Sequence, residues 1–252
     1  MIFLTFLKRI FTNKAYWLAV LITILLLLCS NIYKDTLTGK EYIFLSLFYD
    51  KVPRQAMELG NVSLEKILFG PDTGYLWMFC PIIVGMPCVL LNKTDRLVLF
   101  RSSKMGYVVS KSAAVLITGG LVLVIAYFVF GLIGMVVMHH NIWNIYFVKK
   151  LLSVFCQGIF CALPSVVLSE IVRNKYLILC IPYVINYFTI MFLTGIIPGR
   201  IGRCIDPSAY GNLFLGTKEQ VVPCVITLVS AVGVCLLWNV IRLGSRCDCG
   251  QK

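Results

Sequence analysis

The chain has 252 residues, of which 59% are hydrophobic and 13% charged, with a formal net charge of +12, and its mean hydropathy is +0.88. A soluble domain carries about twice that charged fraction and far less apolar material, so composition excludes an ordinary water-soluble globule. The positive charge would suit a nucleic acid. Here, however, the basic residues stand in short runs between apolar blocks, which reads as topology signals and lipid-headgroup contacts.

Phe3, Phe6, Leu7, Ile10 and Phe11 recur at helical spacing, with Thr5, Lys8, Arg9, Thr12 and Asn13 elsewhere. Residues 1–14 are therefore predicted to form a short amphipathic helix in the headgroup layer, or an extension of the first span. Lys8, Arg9 and Lys14 ahead of the Leu25–Leu28 run have the layout of a signal peptide. No small-x-small site follows Ser30 and the apolar stretch is too long, so an uncleaved anchor is expected. Leu28 is also not the small residue that a lipoprotein box needs before Cys29.

A helix needs roughly 19 or more apolar residues to cross about 30 Å of hydrocarbon. Six spans meet that requirement: 15–33, 73–92, 112–138, 151–172 (uncharged as far as Ser169), 176–199 and 220–241. None alternates as the strands of a membrane β-barrel do. The expected fold is all-α: a single polytopic membrane domain of six transmembrane helices preceded by the amphipathic helix.

Segment 34–72 is the longest connection. Thr38 with Glu41 fits a capping box ahead of Tyr42 to Phe48, and Pro53 and Gly60 break the remainder, so short helices on the membrane surface are expected. Pro81 and Pro87 predict a kinked second span. Segment 93–111 gathers Arg96, Arg101, Lys104 and Lys111 around the apolar stretch Leu97 to Phe100. It is either one or two short helices with an apolar side free for a partner or a basic loop that fixes topology. Arg173-Asn174-Lys175 makes the fourth and fifth spans a tight antiparallel pair, and Pro198, Gly199, Gly202, Pro207, Gly211 and Gly216 break the chain before the sixth.

With the N-terminus inside, segments 1–14, 93–111, 173–175 and 242–252 hold 13 of the 23 Lys and Arg and two acids. Segments 34–72, 139–150 and 200–219, which are longer in total, hold 10 with eight acids. The positive-inside rule then places both termini in the cytoplasm of a multi-pass cell-membrane protein.

Chemistry inside the spans is sparse. The one acid there is Glu170, three residues before Arg173, which suggests an interfacial ion pair. His139 and His140 are adjacent and do not form an i, i+4 metal pair. Eight of the 11 cysteines lie in spans, where cysteine packs as a small hydrophobe. Cys204 stands in an outer loop within possible reach of Cys224, and Cys247 with Cys249 is a weak metal motif. No catalytic residue and no metal site is assigned. Gln157, Ser165, Asn186 and Thr189 are candidates for a pathway, because polar groups in lipid face other helices or a cavity. Gly119 and Gly120 suit helix packing. No phosphate-binding GxxxxGK pattern occurs, so any ATP would be bound on a separate subunit.

This layout resembles the permease subunit of the ABC transporter type-2 exporter family. Ile2 to Lys14 matches the family's elbow helix. Asp95 to Lys104 matches its coupling helix, Leu168 to Lys175 its turn between spans four and five, and Ile205-Asp206-Pro207 the stretch before span six. The resemblance implies that Arg96, Leu97, Phe100, Arg101, Ser102 and Lys104 contact an ATP-binding subunit. It also implies a second permease copy or paralogue, no cofactor on this chain, and no enzymatic activity of its own. A peptide, a drug or another amphipathic molecule would be the cargo. A non-transporting immunity or scaffold protein and an intramembrane enzyme are the competing expectations.

Overall fold

Hydrophobic residues on every side of a helix leave only packing to choose which face turns inward, and the first long helix shows the choice. In the computed structural model, which describes residues 2–59, 74–91, 103–139, 143–172, 174–193, 196–197 and 199–248, α1 (Ile2–Phe11) is followed by α2 (Lys14–Leu28). On α2, Tyr16, Ala19, Val20, Thr23 and Leu27 are buried at helical spacing, while Trp17, Leu18, Leu21, Ile22 and Leu25 are exposed.

The two helices meet at 60°. Asn13 makes the corner: its side chain caps α2 by accepting from the Ala15 amide at 2.9 Å. The Trp17 indole donates back to the Phe11 carbonyl at 2.9 Å. On α1, Phe6 and Ile10 are buried, and Phe6 meets Tyr107 edge to face at 5.6 Å.

Among the described residues, four helices are long and apolar enough to cross a bilayer. They are α5 (Lys104–Met138), α6 (Ile145–Ser169), α7 (Lys175–Phe188, continued by a π turn, Thr189–Leu193) and α10 (Lys218–Asp248). The bent α1–α2 pair would make a fifth span. α4 (Gly74–Leu90), 17 residues without a charge, lies within the second predicted span and is shorter than the four. The window of α10, Glu219–Arg242, is strongly apolar yet only 17% buried; Val222, Ile226, Val229, Val234, Leu237 and Ile241 stand exposed along it. Hydrocarbon is the solvent in which such a face costs nothing, so the fold is compatible with a membrane protein.

Several boundaries differ from the sequence expectation. The described residues are mostly helical but not all-α. Asn31–Lys34 (β1) pairs antiparallel with Glu41–Ile43 (β2), so the first predicted span ends as a helix at Leu28. Thr38 does not cap a helix. It sits in the hairpin turn, its hydroxyl donating to Asp35 at 2.6 Å, and Gly39 supplies the positive φ of 67° that the turn requires. The Phe44–Phe48 3-10 turn and α3 (Lys51–Glu58) follow, as the expectation of short helices had it. α5 starts at Lys104 rather than near 112, and α6 at Ile145 rather than 151. Before α10 the chain makes two short helices, α8 (Arg200–Ile205) and α9 (Pro207–Tyr210), and a 3-10 turn at Leu213–Leu215.

The centre of the bundle is a glycine contact. A Cβ on Gly158 of α6 would stand 2.7 Å from the Gly120 Cα of α5, and one on Gly119 would stand 3.0 Å from the Val84 carbonyl oxygen of α4. Small residues let these backbones touch, which is where membrane helices gain dispersion energy when water offers no drive to associate.

Candidate functional site

The first turns of α5 are tied by side chains to three other helices. Ser103 caps the helix, its hydroxyl accepting from the Gly106 amide at 3.2 Å. Tyr107 packs on Phe6 of α1. One turn on, the Lys111 ammonium donates to Glu170 Oε1 at 2.7 Å, with side chains only 7% and 12% exposed. Ser112 Oγ accepts from the Asn239 amide of α10 at 3.2 Å. Three other helices thus converge on one short stretch, Tyr107 to Ser112.

Lys111 is a partner of Glu170 that the sequence reading does not name; Arg173, the partner it expects, lies outside the described residues. The uncharged run begins only after Lys111, so the sequence places this lysine in the 93–111 segment. Its place inside α5 is what buries it.

A second polar joint lies at the other end of α5 and α6. Lys150, 1% exposed, donates to Asn212 Oδ1 at 2.7 Å and sits 5.4 Å from the Tyr127 ring. Ser153 Oγ accepts from the Phe214 amide at 2.9 Å, so α6 holds the segment before α10 by two side chains one turn apart. Sequence gave no sign that Lys150 is buried beyond its adjacency to an apolar run.

The four pathway candidates are all buried, but they do different things. Ser165 Oγ donates to the Ile178 carbonyl of α7 at 3.3 Å, and its own carbonyl accepts from Cys88 Sγ of α4 at 3.3 Å. Thr189 Oγ1 bonds back to the Ile185 carbonyl at 2.8 Å. Asn186 lies one turn before Thr189 and is 5% exposed. Gln157 is fully buried, and neither its amide oxygen nor its nitrogen has a hydrogen-bond partner among the described residues. An apolar groove of about 870 Å³ opens between α6, α7 and α10, with Pro164, Ile185, Thr227 and Trp238 in its wall; none of the four pathway candidates lines it.

Of the coupling candidates, Arg96, Leu97, Phe100, Arg101 and Ser102 lie outside the described residues. Lys104 is the first residue of α5, with its side chain outside them. His140 and Cys249 lie outside as well; His139 ends α5 in a left-handed conformation, φ 51°. Among the described residues no group of three or more His, Cys, Asp or Glu is placed to hold a metal ion.

Compared with known proteins, the chain matches no protein-family model and has no significant match among curated proteins.

Proposed function

We propose that this chain is the membrane-spanning permease subunit of an ATP-driven exporter. In this reading it has six spans, with α1 as an elbow helix on the cytoplasmic surface and both termini in the cytoplasm. It works with a second copy or paralogue and with a separate ATP-binding subunit, and it exports an amphipathic molecule such as a peptide or drug.

The observation that carries the reading is the wiring of Tyr107, Lys111 and Ser112 to α1, α6 and α10. The basic segment Arg96 to Lys104 runs directly into these turns. A partner that displaces that segment displaces α5, and through it three further helices as one body. ATP-driven closure of the partner would then shift the population between inward-open and outward-open arrangements. Gln157, buried with no partner among the described residues, is a group that a cargo's polar atom would satisfy.

The test is to purify the full chain with the products of neighbouring genes and to measure ATP hydrolysis with charge reversals at Arg101 and Lys104. Loss of stimulated hydrolysis with an intact, co-purifying permease is the expected result. A chain that brings down no ATPase, and whose biological effect survives both reversals, is a scaffold or immunity protein. A chain that turns over substrate and stops on Glu170→Gln with assembly intact is an enzyme.

A further inference from the structure

Cys204 is in α8 and Cys224 in the second turn of α10, yet their Sγ atoms are 3.8 Å apart. Tyr210 of α9 fixes both backbones: its hydroxyl lies 2.9 Å from the Cys204 carbonyl and 3.4 Å from the Cys224 carbonyl, donating between them. The ring is itself fully buried and stacked on Phe160 of α6 at 4.3 Å. The two thiols are therefore held as a pair by a residue anchored in the bundle. A cleft of about 90 Å³, with Arg203, Thr217 and Glu219 in its wall, reaches both cysteines. A larger one of about 530 Å³ reaches Cys224 from the Asn212 side.

We propose that Cys204 and Cys224 are a reversible disulfide site that exchanges with a disulfide oxidant and, when oxidised, staples α8 to the start of α10. Cys204, the more exposed of the two, attacks first as its thiolate. Its sulfur bonds one sulfur of the oxidant, the oxidant's S–S bond breaks, and the released thiolate takes up the proton that Cys204 lost. The Cys224 thiolate then attacks the Cys204 sulfur, expelling the second oxidant thiolate, which takes up the Cys224 proton. Two protein thiols become one disulfide, and one oxidant disulfide becomes two thiols. Closing the gap from 3.8 Å to the roughly 2.05 Å of a disulfide is within the reach of side-chain rotation. The charge distribution predicts that α8 faces the outer side, where disulfides persist. The staple would add a covalent link to the contacts that already hold the Arg200-to-Tyr210 segment against α10 when both thiols are reduced.

The experiment incubates the solubilised full-length protein with oxidised glutathione, blocks remaining thiols with N-ethylmaleimide, and maps the digest by mass. The expected product is a Cys204–Cys224 linked peptide pair that disappears on reduction. In Cys224→Ser the resolving thiol is gone, so a glutathione adduct is expected to accumulate on Cys204. The wild-type map stands without any variant, and the readout is independent of transport. Absence of the linked pair from folded wild-type protein, or a glutathione adduct on Cys204 as abundant in wild type as in Cys224→Ser, overturns the proposal.

Discussion

Ser165 of α6 donates its hydroxyl to the Ile178 carbonyl of α7 at 3.3 Å, and Ile178 is the residue four positions before Pro182. A proline removes the amide that this carbonyl would have accepted in an unbroken helix. A side chain from a neighbouring helix fills the gap. The glycine opposite makes room for it, since a Cβ on Gly85 would stand 2.7 Å from Ser165 Oγ.

Ser165→Ala is expected to destabilise the protein by about 0.6 kcal/mol and by no more than about 1.7, the range for hydrogen bonds between membrane helices. In Pro182→Ala the amide is restored, so the same serine change should cost close to nothing. An unfolding titration of the four proteins in mixed micelles measures the coupling, and equal costs in both backgrounds would refute the assignment.

Lys111→Met leaves Glu170 as a buried charge without its partner, which costs about 3–5 kcal/mol. Pairing it with Glu170→Leu should recover most of that stability, because an apolar pair of similar size is often as stable as a buried ion pair. The double variant also separates stability from coupling. If α5 transmits motion through this pair, stimulated ATP hydrolysis stays low in a protein that unfolds like wild type.

Gly158→Ala forces α5 and α6 apart, because the new methyl would lie 2.7 Å from Gly120 Cα and 2.9 Å from the Gly119 carbonyl oxygen. Those contacts are backbone and have no rotamer to give. A clear fall in thermal stability is expected, against no loss for Gly233→Ala in α10, where a Cβ meets nothing within 4 Å. Comparing melting by size-exclusion recovery after heating checks both.

Asp35 accepts from the Thr38 hydroxyl at 2.6 Å and from the Leu37 amide at 3.1 Å. These bonds favour the charged form and hold its carboxyl below its ordinary range. A lowered folded-state pKa gives stabilisation that is fully present above the ordinary carboxylate value, about 3.9, and is lost as pH falls through the folded value. The 31–43 hairpin should therefore loosen in acid in wild type but not in Asp35→Asn. Amide exchange at Leu37, compared between the two proteins at each pH, measures it.

The helices were legible because hydrophobicity alone locates them. Four of the six predicted runs coincide with helices long enough to cross a bilayer. The α1–α2 boundary was not legible, since residues 1–14 read equally as a separate amphipathic helix or as an extension of the first span, and it is the Asn13 cap that decides between them. What composition hid were the contacts. Lys111 and Lys150 read as loop residues because charge marks span ends, yet each is buried by a partner 59 and 62 positions away. The hairpin was missed because Thr38 and Glu41 satisfy a helix-capping pattern as well as they satisfy a turn and a strand. Ser165 looked like a pathway residue, and only the geometry pairs it with the carbonyl that Pro182 strands.

The helices differ widely in length. Helix α5 is apolar over Met105–Val137 apart from Lys111, 33 residues, and the described apolar part of α7, Lys175–Phe192, has 18, about 50 Å against about 27 Å at the helical rise. A bilayer core of about 30 Å matches the second and is far too thin for the first. If both helices cross a bilayer, lipid beside α7 would be drawn slightly thin while α5 projects beyond the core, at a cost of fractions of a kcal/mol for each ångström of mismatch. In that arrangement the flank beside α7 is where the surrounding leaflets would be most readily deformed.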